Sequence, residues 1–209
     1  MNLEQLGRKF ARLATNLVVR RPSLWRVLRP VMRLQFERLA PHWDAIRSED
    51  AYAPYEAALE RVKPAPRRAL DLGTGTGEGA FVIARRFPEA QVTGVDLAPA
   101  MVAAASSKTP PELRERVRFE VADAAELPYD DRSFELVGLG NMIPFFDELE
   151  RVLAGGGFVL FAFSGGTGTP IYVPAERLRS ELGARGFTDF AEISAGSGTA
   201  LLARKAERA

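Results

Sequence analysis

A chain of 209 residues, 46% hydrophobic and 26% charged, has the balance of a soluble globular protein and the length for one sizeable core. Zero cysteines exclude disulfides, thiolate metal sites and thiol nucleophiles, and a single histidine, His42, leaves no basis for a histidine metal centre or a Ser-His-Asp triad, so no metal is expected. The net charge of +1 conceals a division: residues 1–40 carry nine basic residues against Glu4 and Glu37, a balance of +7 that leaves −6 for the remainder. No run reaches the ~18 consecutive apolar residues of a membrane span, and none has the apolar stretch of a signal peptide, so a cytoplasmic location is expected.

The chain opens with an amphipathic pattern. Leu3, Leu6, Phe10, Leu13 and Leu17 recur at three- and four-residue steps and share one helical face, with Arg8, Lys9 and Arg12 opposite. Two destinations fit this arm: an anionic membrane surface met by residues 1–34, with Trp25 as an interfacial ring, or packing on the protein core or a second subunit. Nucleic acid is not expected, because the basic residues lack interleaved surface aromatics and the rest of the chain is acidic. Pro22 and Pro30, each without an N–H, are expected to divide the arm into short helices. A helix over Ala51–Val62 and a Lys63–Pro66 linker follow, giving a division into residues 1–64 and 65–209.

The most informative stretch comes next. The apolar run into Asp71 followed by Gly73, Thr74, Gly75, Thr76 and Gly77 reads as a strand, Arg68–Leu72, that breaks into a loop able to bring its backbone against a ligand. After a helix at Gly77–Phe87, a second strand, Gln91–Asp96, ends on a carboxylate about 20 residues beyond the first, the place from which α/β folds hold ribose hydroxyls. A helix over Pro99–Ser107, a Pro110–Pro111 loop and a strand over Val117–Ala122 ending at Asp123 come after it. Strand Phe134–Leu139 runs into Gly140 and Asn141, and a helix over Asp147–Leu153 is expected to close at Gly155–Gly157. A continuous apolar strand, Phe158–Ser164, a helix over Pro174–Arg185, and strands Phe190–Ala195 and Thr199–Leu202 about Gly196–Gly198 complete the pattern, with a frayed tail over Arg204–Ala209. Alternation of strands and helices predicts an α/β, doubly wound, mostly parallel sheet with a C-terminal antiparallel hairpin and an N-terminal helical arm.

Asp71-x-Gly73-x-Gly75-x-Gly77, followed by Asp96-Leu97-Ala98-Pro99-Ala100-Met101, resembles the S-adenosylmethionine-binding core of the Rossmann-like, class I methyltransferases of small-molecule type. Phe36 to Asp44 is similar to an opening motif of quinone-type C-methyltransferases. The resemblance implies that Asp71 helps hold the cofactor's ammonium, and that Gly73, Thr74, Gly75 and Gly77 form its cradle. Asp96 would accept from both ribose hydroxyls, and Leu97 and Met101 would enclose adenine. Asp123 and Ala124 would read the adenine amino group, and Gly140 and Asn141 would lie nearest the sulfonium. Trp43, Tyr52 and Tyr55 are expected to close the pocket over a small, apolar or membrane-resident acceptor. The absent cysteine argues against cytosine-C5 methyl transfer, and no residue is marked as a catalytic base.

Other readings compete at several positions. Asp123 has the sequence context of a helix cap, Asn141 that of a turn residue, His42 that of a structural side chain. An NAD(P)-dependent oxidoreductase is opposed by the glycine register and by carboxylates where a pyrophosphate would bind. A non-catalytic cofactor-binding or membrane-docking module is the alternative from a different class.

Overall fold

The computed structural model describes residues 3–207, and of residues 3 and 4 only the backbone. Helix α1 spans Leu3–Arg20 and α2 spans Trp25–Leu39, joined by a 3-10 turn at Pro22–Leu24. Pro22 ends the first helix as expected, but Pro30 sits inside α2 without breaking it. That residue forfeits one bond, to the carbonyl of Arg26, and its ring lies on the exposed side, so the cost is local. The helix expected over 51–62 contracts to α3, Ala53–Leu59.

Seven strands form one sheet: β1 (Arg68–Leu72), β2 (Gln91–Asp96), β3 (Val117–Val121), β4 (Phe134–Gly140), β5 (Leu153–Phe163), β6 (Phe187–Ala195) and β7 (Gly198–Lys205). Their order is β3-β2-β1-β4-β5-β7-β6, the first five parallel and β7 antiparallel to both its neighbours. The connecting helices are α4 (Glu78–Arg86), α5 (Pro99–Lys108), α6 (Phe146–Val152) and α7 (Ala175–Gly183). The predicted doubly wound sheet with its terminal hairpin is therefore present, and the strand order reverses beside β1, where ligands of such sheets collect.

Strand residues alternate between two cores. Leu70, Leu72, Val137, Leu139, Phe161 and Leu201 face one side with α6 and α7. Ala69, Leu136, Leu160 and Leu202 face the other with α3 and α4. The first core takes in Ala11, Ala14, Val18, Trp25 and Met32, so the arm shares the sheet's apolar interior.

Three local expectations are corrected. Gly155–Gly157 do not close a helix; they lie within β5, where the pairing with β4 shifts register between Phe134 and Leu136. The hairpin strands run longer than their apolar stretches, because ladder hydrogen bonds continue past the last alternating side chain. Arg204 and Lys205 are not frayed: they belong to β7, and the Lys205 ammonium donates to the Leu153 carbonyl at 2.8 Å. Residues 208 and 209 lie outside the described residues.

Candidate functional site

The loop after β1 is fixed from beneath. The N–H groups of Gly73 and Thr74 both donate to the Val95 carbonyl, at 2.9 and 2.8 Å, so β2 anchors the turn that leaves β1. Gly73, Gly75 and Gly77 all have positive φ, at 72°, 54° and 95°. At Gly75 the requirement is also spatial, since a Cβ would stand 2.9 Å from the indole nitrogen of Trp43.

Asp71 lies behind this loop and is 3% exposed. Its carboxylate accepts from the Tyr55 hydroxyl at 3.0 Å and the Thr74 hydroxyl at 2.5 Å. Burial pushes its pKa up to about 6, against the lowering effect of the hydrogen bonds from Thr74, Tyr55 and the Ala80 N–H. Tyr55 reaches it through a gap in β4, because a Cβ on Gly138 would lie 1.9 Å from the Tyr55 oxygen. Burial, reinforced by the Asp71 charge, holds the Tyr55 hydroxyl well above its ordinary pKa.

Asp96 ends β2 with one carboxylate oxygen accepting from the Gly75 N–H at 3.0 Å and the other from the Ala98 N–H at 2.9 Å. Burial raises its pKa, and the Glu37 carboxylate adds to the rise. Glu37 itself accepts from the Ala100 N–H at 3.2 Å, so the first turn of α5 already faces a carboxylate from the arm.

Above the loop a narrow cleft opens partly to solvent. Its floor is Leu72, Gly73, Gly75, Val95, Asp96 and Leu97, with Met101, Ala124, Gly140 and Asn141 at the sides. The arm supplies the roof: Trp25, Met32, Phe36 and Trp43. Among the described residues, the lining contains one carboxylate and no lysine, arginine or histidine.

The predicted residues therefore divide. Gly73, Gly75, Asp96, Leu97, Met101, Ala124, Gly140 and Asn141 meet at the cleft, whereas Asp71, Thr74 and Gly77 support it from behind without lining it. Asn141, with φ of 51°, spends its amide on Ser164: the side-chain nitrogen donates to the Ser164 hydroxyl and its oxygen accepts from the Ser164 N–H, both at 3.0 Å. Asp123 stands outside the lining, and the arm engages both its oxygens. One accepts from the Trp25 indole N–H at 2.8 Å and the Ala125 N–H at 3.0 Å, the other from Arg29 at 2.8 Å.

Of the expected aromatic wall only Trp43 lines the cleft. Tyr55 is held behind the loop at Asp71, and Tyr52 contacts it edge-on at 6.0 Å, because the short α3 packs on the opposite face of the sheet. His42 is exposed and does not line the cleft, and Phe145 is core, edge-on to Trp25 at 5.2 Å. Met32, Met142, Ile143 and Ile171 line the cleft without having been marked in the sequence. Met142 and Ile143 follow Asn141 directly, and that adjacency was the one available signal.

The arm is fastened to the loop through Asp44, which accepts from the Thr76 hydroxyl at 2.6 Å and pairs with Arg47 and Lys108.

Comparison with known proteins agrees with this geometry. Residues 69–157 match the methyltransferase domain family. The chain is 38% identical over 146 residues to a malonyl-[acyl-carrier protein] O-methyltransferase of Halorhodospira halophila, covering 66% of this chain and 49% of that one. It is 38% identical over 137 residues to a demethylmenaquinone methyltransferase of Thermus thermophilus, covering 58% and 60%. The chain thus spans about half the length of the curated relatives it matches. In fold it is similar to the Haloferax volcanii complex of the Trm112 methyltransferase activator and a putative methyltransferase, with a TM-score of 0.67 at 18% identity over 82% of this chain and 98% of that one. The glycine loop, the strand-end carboxylate, the sheet order and these matches have one reading: residues 69–157 are a methyltransferase domain, carried on the Rossmann-like fold of the class I S-adenosylmethionine-dependent methyltransferases.

Proposed function

We propose that this chain transfers a methyl group from S-adenosylmethionine to a small, largely apolar acceptor drawn from a membrane. The observation that carries the reading is the charge of the cleft: one carboxylate at the end of β2 and no cationic side chain in the lining. Such a site suits a ligand that is cationic and free of phosphate. It opposes NADP, whose 2′-phosphate would face Asp96 and Glu37 together.

Residue roles follow from the same contacts. Each Asp96 oxygen already accepts one backbone N–H and keeps a lone pair for a ribose hydroxyl, a charge-assisted bond. Leu97 and Met101 offer apolar and sulfur surface to an adenine ring. The backbone at Gly73 and Gly75 is close enough to hold the amino-acid end, while Asp71 supports that backbone and lends it negative potential.

When bound, S-adenosylmethionine supplies an electrophilic methyl on a sulfonium. The chain's own task is then to align the acceptor and exclude water, which the arm's roof does. Among the described residues the only ionisable side chain in the lining is Asp96, and the Asn141 amide is tied to Ser164, so the acceptor is expected to arrive already nucleophilic. Trp25, Phe36, Ile143 and Ile171 offer a polar acceptor no hydrogen bonds in exchange for its lost hydration, which favours an apolar one. The relatives' names point to acceptors of moderate size: a malonyl group on a carrier protein, and a demethylmenaquinone.

Calorimetry with S-adenosylhomocysteine tests the cofactor half, with an expected micromolar Kd, about −8 kcal/mol; tighter binding of NAD(H) would overturn it. For the acceptor half, a methyl-labelled donor is incubated with a cell extract that is then divided between water and organic solvent. Label in the organic phase is expected, and label confined to water-soluble products refutes an apolar acceptor.

A further inference from the structure

Helices α1 and α2 form an antiparallel hairpin, with the Gln35 amide within 3.5 Å of the Gly7 carbonyl near its open end. Ala11, Ala14, Val18, Trp25 and Met32 turn inward. The larger aliphatic residues therefore point out. Leu6, Leu13 and Leu17 are 51%, 56% and 37% exposed on α1, and Val27, Val31 and Leu34 are 73%, 51% and 50% exposed on α2. Spacings of seven and four residues on α1, and of four and three on α2, make each set one stripe, and the hairpin lays the two stripes side by side.

Of the destinations that the helical pattern left open for this stripe, packing on the chain's own core is not the one taken. The face containing Arg8 and Arg12 is turned to the body, where these side chains donate to the carbonyls of Gly168, Thr167 and Thr169. The small residues Ala11 and Ala14 join the core, and the leucine stripe is left outward. Trp25 is buried and cannot serve as an interfacial ring. Leu3, the first residue of the stripe, has its side chain outside the described residues.

We infer that the outer face of the α1–α2 hairpin is a docking surface for an anionic lipid bilayer. The charge around the face argues for this occupant. Arg20 is exposed and flanks the α1 stripe by helical spacing, Arg38 extends the α2 stripe by one turn, and exposed Arg21 and Arg26 gather at the connection. The acidic Glu37 is turned away, onto Ala100. A second copy of the chain is disfavoured as the occupant, because pairing the faces would oppose two arms of charge +7. An acidic protein is disfavoured by the chemistry of the surface: six branched aliphatic side chains in two ridges, without the aromatic anchors or pocket typical of protein interfaces. Two ridges with a basic rim match a helix pair lying in the plane of the headgroups. The inference goes beyond the proposed function and does not depend on it, although it would bring the cleft roofed by Trp25 and Met32 to within about one helix diameter of the bilayer.

Flotation of the full chain with vesicles tests it without any turnover. Binding is expected to equimolar phosphatidylcholine–phosphatidylglycerol vesicles at low salt, to weaken as salt is raised, and to be much weaker on pure phosphatidylcholine. The double variants Leu13→Asp/Val31→Asp and Arg20→Glu/Arg38→Glu alter exposed positions, so circular dichroism should be unchanged while vesicle binding falls about tenfold or more. The inference is overturned if the wild-type chain does not float with the anionic vesicles, or if either folded variant floats as well as wild type. A wild-type dimer that Leu13→Asp/Val31→Asp makes monomeric, without vesicle binding, would assign the face to a second copy. Retention on polyglutamate without vesicle binding would assign it to an acidic protein.

Discussion

Replacing Asp71 by Asn removes a charge that the fold holds at some cost, and the consequence should be visible as a change in the pH dependence of stability. The carboxyl moves from 3.8 in the unfolded chain to about 6 when folded, with burial as the main cause. A carboxyl whose pKa rises on folding stabilises most when protonated. Its contribution is complete below about pH 3.8 and is lost as pH climbs through 6. At 1.36 kcal/mol per unit, about two units amount to about 3 kcal/mol over the full range and about 2 kcal/mol between pH 4.5 and 7.5. Asn approximates the protonated form in shape, and the Tyr55 and Thr74 hydroxyls can turn to accept from its amide. Urea unfolding of both proteins across that range should therefore show the stability of Asp71→Asn relative to wild type rising by about 2 kcal/mol toward neutral pH, equivalent to about 4–8 °C in Tm for a chain of this size. All other titrating groups cancel in the difference. Parallel stability curves for the two proteins would refute the claim that Asp71 is held charged against burial. The same ionisation should tighten S-adenosylhomocysteine binding between pH 5 and 7 in wild type but not in the variant, because the cofactor's amino-acid end meets a more negative loop.

Gly138→Ala places a Cβ where the Tyr55 hydroxyl lies, and should destabilise by about 1–3 kcal/mol in thermal or urea unfolding; unchanged stability would mean that Tyr55 does not pass through β4. Asp96→Ala should weaken S-adenosylhomocysteine binding by about 1.5–3 kcal/mol in calorimetry, and equal affinity would show that the β2 carboxylate does not touch the ligand. Asp44→Ala frees Thr76, Arg47 and Lys108 together, but the group is 44% exposed, so the stability loss should stay under about 1 kcal/mol. Limited proteolysis should nonetheless cut the variant faster over residues 40–50, and identical digestion would argue against Asp44 as the fastening point of the arm.

What the sequence determined by itself is the part of the protein written in local patterns. The strand that ends at Asp71, its alternating glycines and the second strand that ends at Asp96 are consecutive or nearly so. Each demands its backbone from the residues at hand: positive φ at Gly75, extended apolar runs for β1 and β2. The parallel order and the antiparallel hairpin follow from strand and helix alternation and from the Gly196–Gly198 turn. The tertiary structure alone decided the rest, because it depends on which surfaces meet. Asp71 and Asp96 look alike as strand-end carboxylates, yet the chain buries one behind the loop on Tyr55 and turns the other into the cleft. Tyr52, Tyr55 and Trp43 were equal candidates for the wall until α3 packed beneath the sheet and the arm above it. In α1 the helical period identified a leucine stripe correctly, but it could not tell which face would pack. The small side chains of Ala11 and Ala14 turn to the core, and the leucine stripe, for which the sequence allowed either destination, is left on the surface.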